Sequence, residues 1–215
     1  MKRPTNYIPF LIMLATFIAA TWRDAPYVGA GSFLLLMAVW YAIRLLIVGD
    51  QTPDVVEARA PLRERTLTTC VFIGMVVLPV VTLATPVFDM LAYPPLPGHV
   101  LIGLIFGGLG CFVFWRAHAD LGNNWSAHLE LQTTHALVTR GIYRHMRHPM
   151  YVAIFLITIA QAVLIENIIG GLSGFVTFTA LYLLRINGEE AMMADKFGAD
   201  WTQYASRTPR FGRMR

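Results

Sequence analysis

The stretch RHMRHPMYVAIFL, residues 144–156, sets two arginines, two histidines and a proline directly before an apolar run. Proline disfavours the helical conformation in the residue before it and is tolerated in the first turn of a helix. We therefore expect a helix to begin at Pro149, with Arg147 and His148 at its N-terminus. Free backbone amides and the positive end of the helix dipole make such a terminus attractive to an anion or a carboxylate.

Apolar runs of this kind recur along the chain and indicate a membrane protein. Hydrophobic residues make up 56% of the 215 residues and charged residues 14%, with a mean hydropathy of +0.54. Because roughly 20 apolar residues cross a hydrocarbon core of about 30 Å, several runs need their flanks to complete the crossing. We predict an all-α integral membrane protein with about six transmembrane helices, over Tyr7–Thr21, Val28–Ile43, Leu67–Ala84, His99–Trp115, Met150–Ile165 and Ile168–Leu184.

The basic residues predict how these spans are oriented, since Lys and Arg accumulate in cytoplasmic loops. With a cytoplasmic N-terminus, 15 of the 17 basic residues fall in inner segments, which leaves Arg23 outside and Arg44 near the inner end of the second span. We expect the protein to lie in a cell inner membrane with both termini in the cytoplasm. We expect its charge of +4 to favour contact with anionic lipid, and we predict no nucleic-acid partner. A cleaved signal peptide is the alternative for the first span, but no small-residue cleavage site follows it.

Polar chemistry is concentrated in two inner segments, 116–149 before the fifth span and 185–215 after the sixth. They hold five of the six histidines and the only Glu-Glu pair. A carboxylate pair so close to hydrocarbon is costly without partners, which makes it a functional candidate. A helical hairpin with its turn at Glu166-Asn167 joins the last two spans, so we expect two groups of side chains to face each other: Arg147, His148 and Tyr151 against Arg185, Glu189 and Glu190.

These features also have structural interpretations. Arg144, His145 and Arg147 suit lipid headgroups, and Tyr151 suits an aromatic belt at the membrane surface. The glutamate pair suits a solvated helix face. No metal site is predicted, because no carboxylate or cysteine near His145 and His148 completes a ligand set.

Three separated motifs together resemble the isoprenylcysteine carboxyl methyltransferase family and its phospholipid methyltransferase relatives. They are His135-Ala136-Leu137-Val138-Thr139-Arg140-Gly141-Ile142-Tyr143, then Arg147-His148-Pro149-Met150-Tyr151, then Glu189-Glu190 ahead of Phe197-Gly198. The resemblance implies a methyltransferase core over 96–215, preceded by transmembrane helices without a family motif over 1–95. Members of the family are multi-span enzymes that use S-adenosylmethionine. It also implies a cytoplasmic cofactor site, formed by the inner loop before the fifth span and the C-terminal tail.

Carried over residue by residue, the resemblance implies which side chains form this site. Arg185 would orient a substrate carboxylate, and Glu190 and Tyr151 would join it as catalytic residues. Three departures from the family pattern are Ile142 for a frequent proline, Ala153 for a frequent glycine, and a short acidic run. The residues expected to bind the cofactor are His128, His135, Ala136, Leu137, Val138, Tyr143, Arg147, His148, Pro149, Met150, Tyr151 and Glu189.

The resemblance implies methyl transfer to a carboxylate or thiol of a hydrophobic, isoprenylcysteine-like acceptor. Arg185 beside the pocket favours an anionic acceptor, because its guanidinium binds carboxylates in a bidentate manner. The expected partners are this lipid-like acceptor and membrane lipid. Two alternatives remain: a phospholipid amine N-methyltransferase, and a noncatalytic membrane scaffold or transport component.

Overall fold

The chain is built almost entirely of helices. The computed structural model describes residues 8–23, 27–47, 55–58, 61–122, 130–132 and 136–212. Strand β1 (Val55–Ala58) pairs antiparallel with β2 (Glu130–Gln132), a short ladder that the sequence analysis did not predict. The helices are α1 (Ile8–Trp22), α2 (Tyr27–Ile47), α3 (Pro61–Phe72), α4 (Leu78–Ala84), α5 (His99–Leu121), α6 (Pro149–Leu164) and α7 (Ile168–Arg207).

Four helical stretches in the described ranges are long and apolar enough to cross a membrane: Val28–Leu46, Leu62–Ala84, His99–Leu121 and Ile168–Arg207. Helices α1 and α6 are apolar but have only 15 and 16 residues. Large apolar side chains such as Leu35, Leu101 and Val176 point outward and are more than half exposed, as a lipid-facing surface requires. The predicted helical architecture with several candidate membrane spans is confirmed, and the count of six spans stays a prediction.

A π-helical segment, Ile73–Val77, joins α3 to α4 without a break. Pro79 lacks the N–H that would continue the π pattern to the carbonyl of Gly74. Two side chains take its place, because Gly74 O accepts hydrogen bonds from Gln161 Nε2 at 3.0 Å and from Ser173 Oγ at 2.7 Å. The segment is thereby tied to both α6 and α7.

Helix α5 packs closely on its neighbours through glycines. A Cβ added at Gly107 would lie 2.2 Å from Leu36, and one at Gly110 would lie 2.9 Å from Ile157. The buried core continues from α1 and α2 through α5 to α6, so the motif-free helices and the motif-bearing helices share one interior. The predicted division at residue 95 therefore separates the region without a family motif from the region that carries the motifs, and the two regions share one core.

The α6–α7 hairpin has the turn that the sequence predicts. Asn167 caps α7 by accepting hydrogen bonds from the backbone N–H groups of Ile169 and Gly170. Helix α7 is longer than the predicted span, because it continues past Leu184 to Arg207 with a kink at Gly198, where φ is 50°. The segment after the predicted sixth span is therefore helical from Arg185 onward, and it carries its acidic pair on a helical face opposite the start of α6.

Candidate active site

A cavity of about 590 Å³ opens between α2, α3, the π segment, α5, α6 and α7. Its volume lies in the range of about 300–1,000 Å³ that is usual for small-molecule sites. His128 and His135 lie outside the described residues, and Glu190 is not on the cavity wall. The other predicted site residues all line it: Ala136, Leu137, Val138, Tyr143, Arg147, His148, Pro149, Met150, Tyr151, Arg185 and Glu189.

The wall that contains Tyr143 is fixed by a glycine turn against the end of α5. Gly141 has φ 59°, and a Cβ there would lie 2.2 Å from the carboxylate of Asp120. That carboxylate accepts the N–H of Ile142 at 2.8 Å and pairs with Arg116 at 2.9 Å. Only glycine combines this backbone conformation with so close an approach.

Tyr143 is buried and lines the cavity. Burial, together with the nearby charge of Glu189, raises the pKa of the Tyr143 phenol well above its usual range. Its backbone carbonyl accepts a hydrogen bond from Tyr204 Oη at 2.6 Å, which links this wall to the last turns of α7.

A set of four side chains, Arg147, His148, Glu190 and Arg210, joins the start of α6 to the C-terminal tail; we call it the tail clasp. Glu190 Oε1 lies 2.8 Å from Arg147 Nη2 and 3.0 Å from His148 Nε2, and its Oε2 lies 2.7 Å from Arg210 Nη2. Hydrogen bonds to Glu190 are the largest cause that raises the pKa of Arg210. Glu190 is therefore committed to three basic side chains.

The two residues that precede the predicted anion-attracting terminus of α6 are held by the C-terminal tail. The backbone N–H groups of Arg147 and His148 donate to the carbonyls of Pro209 and Arg210, at 2.9 and 3.1 Å. The guanidinium of Arg147 also donates through Nη1 to the carbonyls of Ala205 and Thr208. Arg147 thus uses its Nε, Nη1 and Nη2 atoms to hold protein groups.

A second set, Tyr151, Arg185 and Glu189, forms what we call the polar wall of the cavity. Tyr151 Oη donates to Glu189 Oε2 at 2.7 Å, and Arg185 Nε lies 3.4 Å from the same oxygen. His148 Nδ1 lies 3.7 Å from Glu189 Oε1 and connects the polar wall to the tail clasp. The convergence predicted from the hairpin is therefore present in the structure.

The opposite side of the cavity, which we call the apolar wall, was missed by the sequence analysis. It comes partly from the helices without a family motif, and Phe178 and Leu181 of α7 complete it. An apolar side chain that faces a cavity has the same sequence pattern as one that faces lipid. The one sequence feature that could have indicated this wall is Arg44, a charge near the end of α2. The wall residues from the other helices and the π segment are Trp40, Val71, Phe72, Met75, Val76, Phe114 and Ile154.

This arrangement suits a ligand with a charged end and a second ligand with an apolar body. The polar wall offers a hydroxyl that is hydrogen-bonded to a carboxylate, and a guanidinium 3.4 Å from the same carboxylate. The apolar wall excludes water from the other half of the same cavity, which strengthens electrostatic contacts there.

Comparison with known proteins agrees with this geometry. Residues 100–195 match the isoprenylcysteine carboxyl methyltransferase (ICMT) family. The chain is 36% identical over 80 residues to the protein-S-isoprenylcysteine O-methyltransferase of Homo sapiens, which covers 37% of this chain and 28% of that protein. The Schizosaccharomyces pombe enzyme of the same name is 35% identical over 75 residues, 35% of this chain and 32% of that protein.

A longer match of 116 residues, at 31% identity, is to the protein of the same name from Dictyostelium discoideum. It covers 50% of this chain and 48% of that protein. The chain thus spans about half or less of the length of these curated relatives. Residues 100–195, which match the family, contain the described motif residues from Ala136 to Glu190 and leave out α1 to α4.

Proposed function

We propose, from the premise that residues 100–195 belong to the isoprenylcysteine carboxyl methyltransferase family, that this chain is a membrane methyltransferase that uses S-adenosylmethionine. The proposed acceptor is a carboxylate or thiol on a hydrophobic, isoprenylcysteine-like molecule at the cytoplasmic face. One observation carries the proposal: motif residues that are distant in sequence, such as Ala136, Tyr151 and Glu189, line one cavity with an apolar wall.

The residues of the cavity fit S-adenosylmethionine, which carries a sulfonium, an ammonium, a carboxylate, a ribose diol and an adenine. Glu189 suits the ammonium or the diol, since a carboxylate forms strong charge-assisted hydrogen bonds. Met192 and Trp201 line the cavity and offer apolar surface for adenine. When bound, S-adenosylmethionine supplies an electrophilic methyl group.

The chain's own contribution is to position the reactants and to exclude water. Tyr151 and Arg185 both contact Glu189 Oε2, so that carboxylate is oriented before any ligand binds. Holding two reactants in line supplies much of the rate acceleration in a displacement of this kind. We assign Glu190 and Arg147 to holding the tail, because their contacts are with protein groups.

Arg185 is the residue we propose to orient an anionic acceptor. Its guanidinium lines the cavity beside Tyr151, next to the apolar wall that would hold the acceptor's hydrocarbon body. A carboxylate or thiolate acceptor needs no general base. The polar wall agrees with this, because the hydroxyl of Tyr151 already donates its hydrogen bond to Glu189. If Arg185→Ala left activity on a carboxylate acceptor intact, this role would be wrong.

A second candidate is methyl transfer to a lipid amine. One observation favours it: Arg185 lies between two carboxylates, 3.4 Å from Glu64 Oε2 and 3.4 Å from Glu189 Oε2. Two acids around one guanidinium leave a net negative charge, which attracts an ammonium group. An amine acceptor must lose a proton before it attacks, so its methylation would rise with pH through the pKa of the amine.

The first test is binding of labelled S-adenosylmethionine to the purified full chain in detergent and in lipid. We expect saturable binding that Glu189→Ala and His148→Ala each weaken about tenfold or more, since a hydrogen bond to a charged group contributes about 1.5–3 kcal/mol. The matched control is Asp89→Asn, which removes the acid of the exposed Arg23–Asp89 pair, neither of whose residues lines the cavity. It should bind as the wild type does.

Methyl transfer is then measured with three acceptors: a prenylcysteine carboxylate, a hydrophobic thiol and a phospholipid amine. Transfer to the carboxylate or thiol supports the first candidate, and transfer to the amine alone supports the second. If folded wild-type protein binds no S-adenosylmethionine in detergent or lipid, both candidates are wrong and a noncatalytic membrane role takes their place.

A further inference from the structure

Glu64 is a buried acid that neither the sequence motifs nor the family match includes. It lies in the first turn of α3, outside the matched residues 100–195, and only 4% of the residue is exposed. A carboxylate at the start of a helix interacts favourably with the helix dipole, but a solvated side chain obtains that benefit equally well. Burial of this acid beside hydrocarbon is costly and needs another reason.

The contacts of Glu64 lead to the cavity. Its Oε2 lies 3.4 Å from Arg185 Nη1, while Arg185 Nε lies 3.4 Å from Glu189 Oε2. Arg185 lines the cavity and Glu64 does not, so Glu64 stands behind the guanidinium. Two carboxylates on different helices therefore flank one cationic side chain at ion-pair distance.

The neighbouring residues hold this part of α3 against α7. Arg63 donates through Nη2 to the backbone carbonyl of Leu184, the residue before Arg185. One turn further on, Thr68 donates to the backbone carbonyl of Glu64 at 2.8 Å and itself lines the cavity. The start of α3 thus contacts both the backbone and the side chain at the point where α7 carries Arg185.

We propose that Glu64 is a positioning residue for the methyl acceptor, acting through Arg185. It holds the guanidinium toward the cavity from behind, while Glu189 contacts it on the same helix. The inference rests on the function proposed above and extends it, since it makes the motif-free third helix part of the acceptor site. Glu64 itself touches neither acceptor nor cofactor.

The test is a double-mutant cycle with Glu64→Gln and Arg185→Ala, on the full chain in lipid. Glutamine keeps the shape of the side chain and removes its charge. We expect Glu64→Gln to lower kcat/KM for the acceptor about 10- to 100-fold, the range found when the outer partner of a functional ligand is removed from a metal site. Binding of labelled S-adenosylmethionine should stay within about twofold of wild type, because the cofactor side keeps Glu189.

The diagnostic readout is non-additivity. In the Arg185→Ala background, Glu64→Gln should have no further effect on kcat/KM, since its action passes through the missing guanidinium. Glu64→Asp should recover part of the activity. A purely structural role would instead lower the thermal midpoint and cofactor binding together, and would add to the Arg185→Ala loss.

Three outcomes separate the possibilities. A loss of acceptor kcat/KM that vanishes in the Arg185→Ala background supports the role of Glu64. If the wild type transfers methyl groups, but Glu64→Gln either leaves kcat/KM unchanged or adds its loss to that of Arg185→Ala, the role of Glu64 is overturned while the proposed function stands. No methyl transfer by folded wild-type protein overturns both, and cofactor binding, measured in parallel, shows that the variants are folded.

Discussion

The two halves of the chain build the same cavity with different kinds of residue. The half before residue 96 supplies the π segment and part of the apolar wall, through residues such as Val71 and Met75. The half after it supplies the polar wall and the tail clasp, in which five acid–base pairs join Glu189 and Glu190 to Arg147, His148, Arg185 and Arg210. The first half provides mainly shape, and the second provides most of the charge.

This difference explains why the first half showed no chemistry in sequence. A polar side chain next to hydrocarbon needs a partner, so its presence alone indicates a site. An apolar side chain is equally favourable in contact with lipid, in the core and on a cavity wall, so its presence does not indicate a site. Function in the first half depends on position, which emerges only when the helices pack.

The largest effect should come from breaking the tail clasp with Glu190→Gln. The amide cannot balance Arg147, His148 and Arg210, so partly buried basic groups lose their counter-charge, at a cost of about 3 kcal/mol. Thermal or chemical unfolding in detergent measures the loss. Glu189→Gln is the matched control, and equal destabilisation by both variants would contradict the separation between clasp and polar wall.

A smaller effect is expected for Gly141→Ala, which strains the wall around Tyr143. The left-handed conformation costs a residue with a Cβ about 1–2 kcal/mol, and the Cβ must also displace the carboxylate of Asp120. Gly98→Ala is the control, because Gly98 has φ 73° with nothing within 4 Å of the added atom. A similar loss of stability in both variants would show that the approach of Asp120 has no cost.

The same contrast decides how much could be predicted from sequence. Pro149 predicted the start of α6, Asn167 the turn of the hairpin, and the polar residues predicted that Tyr151, Arg185 and Glu189 meet. The extension of α7 to Arg207 was not predicted, because the polar tail begins at Arg185 while the hydrogen bonding of the helix continues beyond it. The engagement of Glu190 by Arg210 was also missed, since twenty residues and a kink separate them.

The first half gave still less, for a physical reason. The π segment depends on Pro79 in α4 and on side chains of α6 and α7 that donate to the carbonyl of Gly74. The two donors, Gln161 and Ser173, are about 90 residues or more from Gly74 in sequence. Glu64 is one of three charged residues in the turn Arg63-Glu64-Arg65 and resembles a solvated acid until its burial is known. Long-range packing, which no local pattern encodes, decided both cases.

The tie between the two halves can be broken at Gln161. Leucine at this position keeps the volume but removes the donor to the carbonyls of Gly74 and Gly170, at an expected cost of about 1–2 kcal/mol. Ser173→Ala is the companion variant, since it removes the other donor to Gly74 O. Unfolding of each single variant and of the double variant should show a combined loss greater than the sum, because only the double variant leaves Gly74 O without a side-chain donor.

The smallest effect on stability is expected from Val71→Phe, which tests most directly whether the first half of the chain selects the acceptor. Val71 lines the cavity, so the larger ring should fill part of the apolar wall and raise KM for long hydrophobic acceptors several-fold, with S-adenosylmethionine binding unchanged. Val77→Phe makes the same change on an outward-facing position of the π segment and should leave KM as it is. If both variants behave alike, the first half is a scaffold only; if KM rises for Val71→Phe alone, and more for long acceptors than for short ones, its helices determine which hydrocarbon chain the polar wall can act upon.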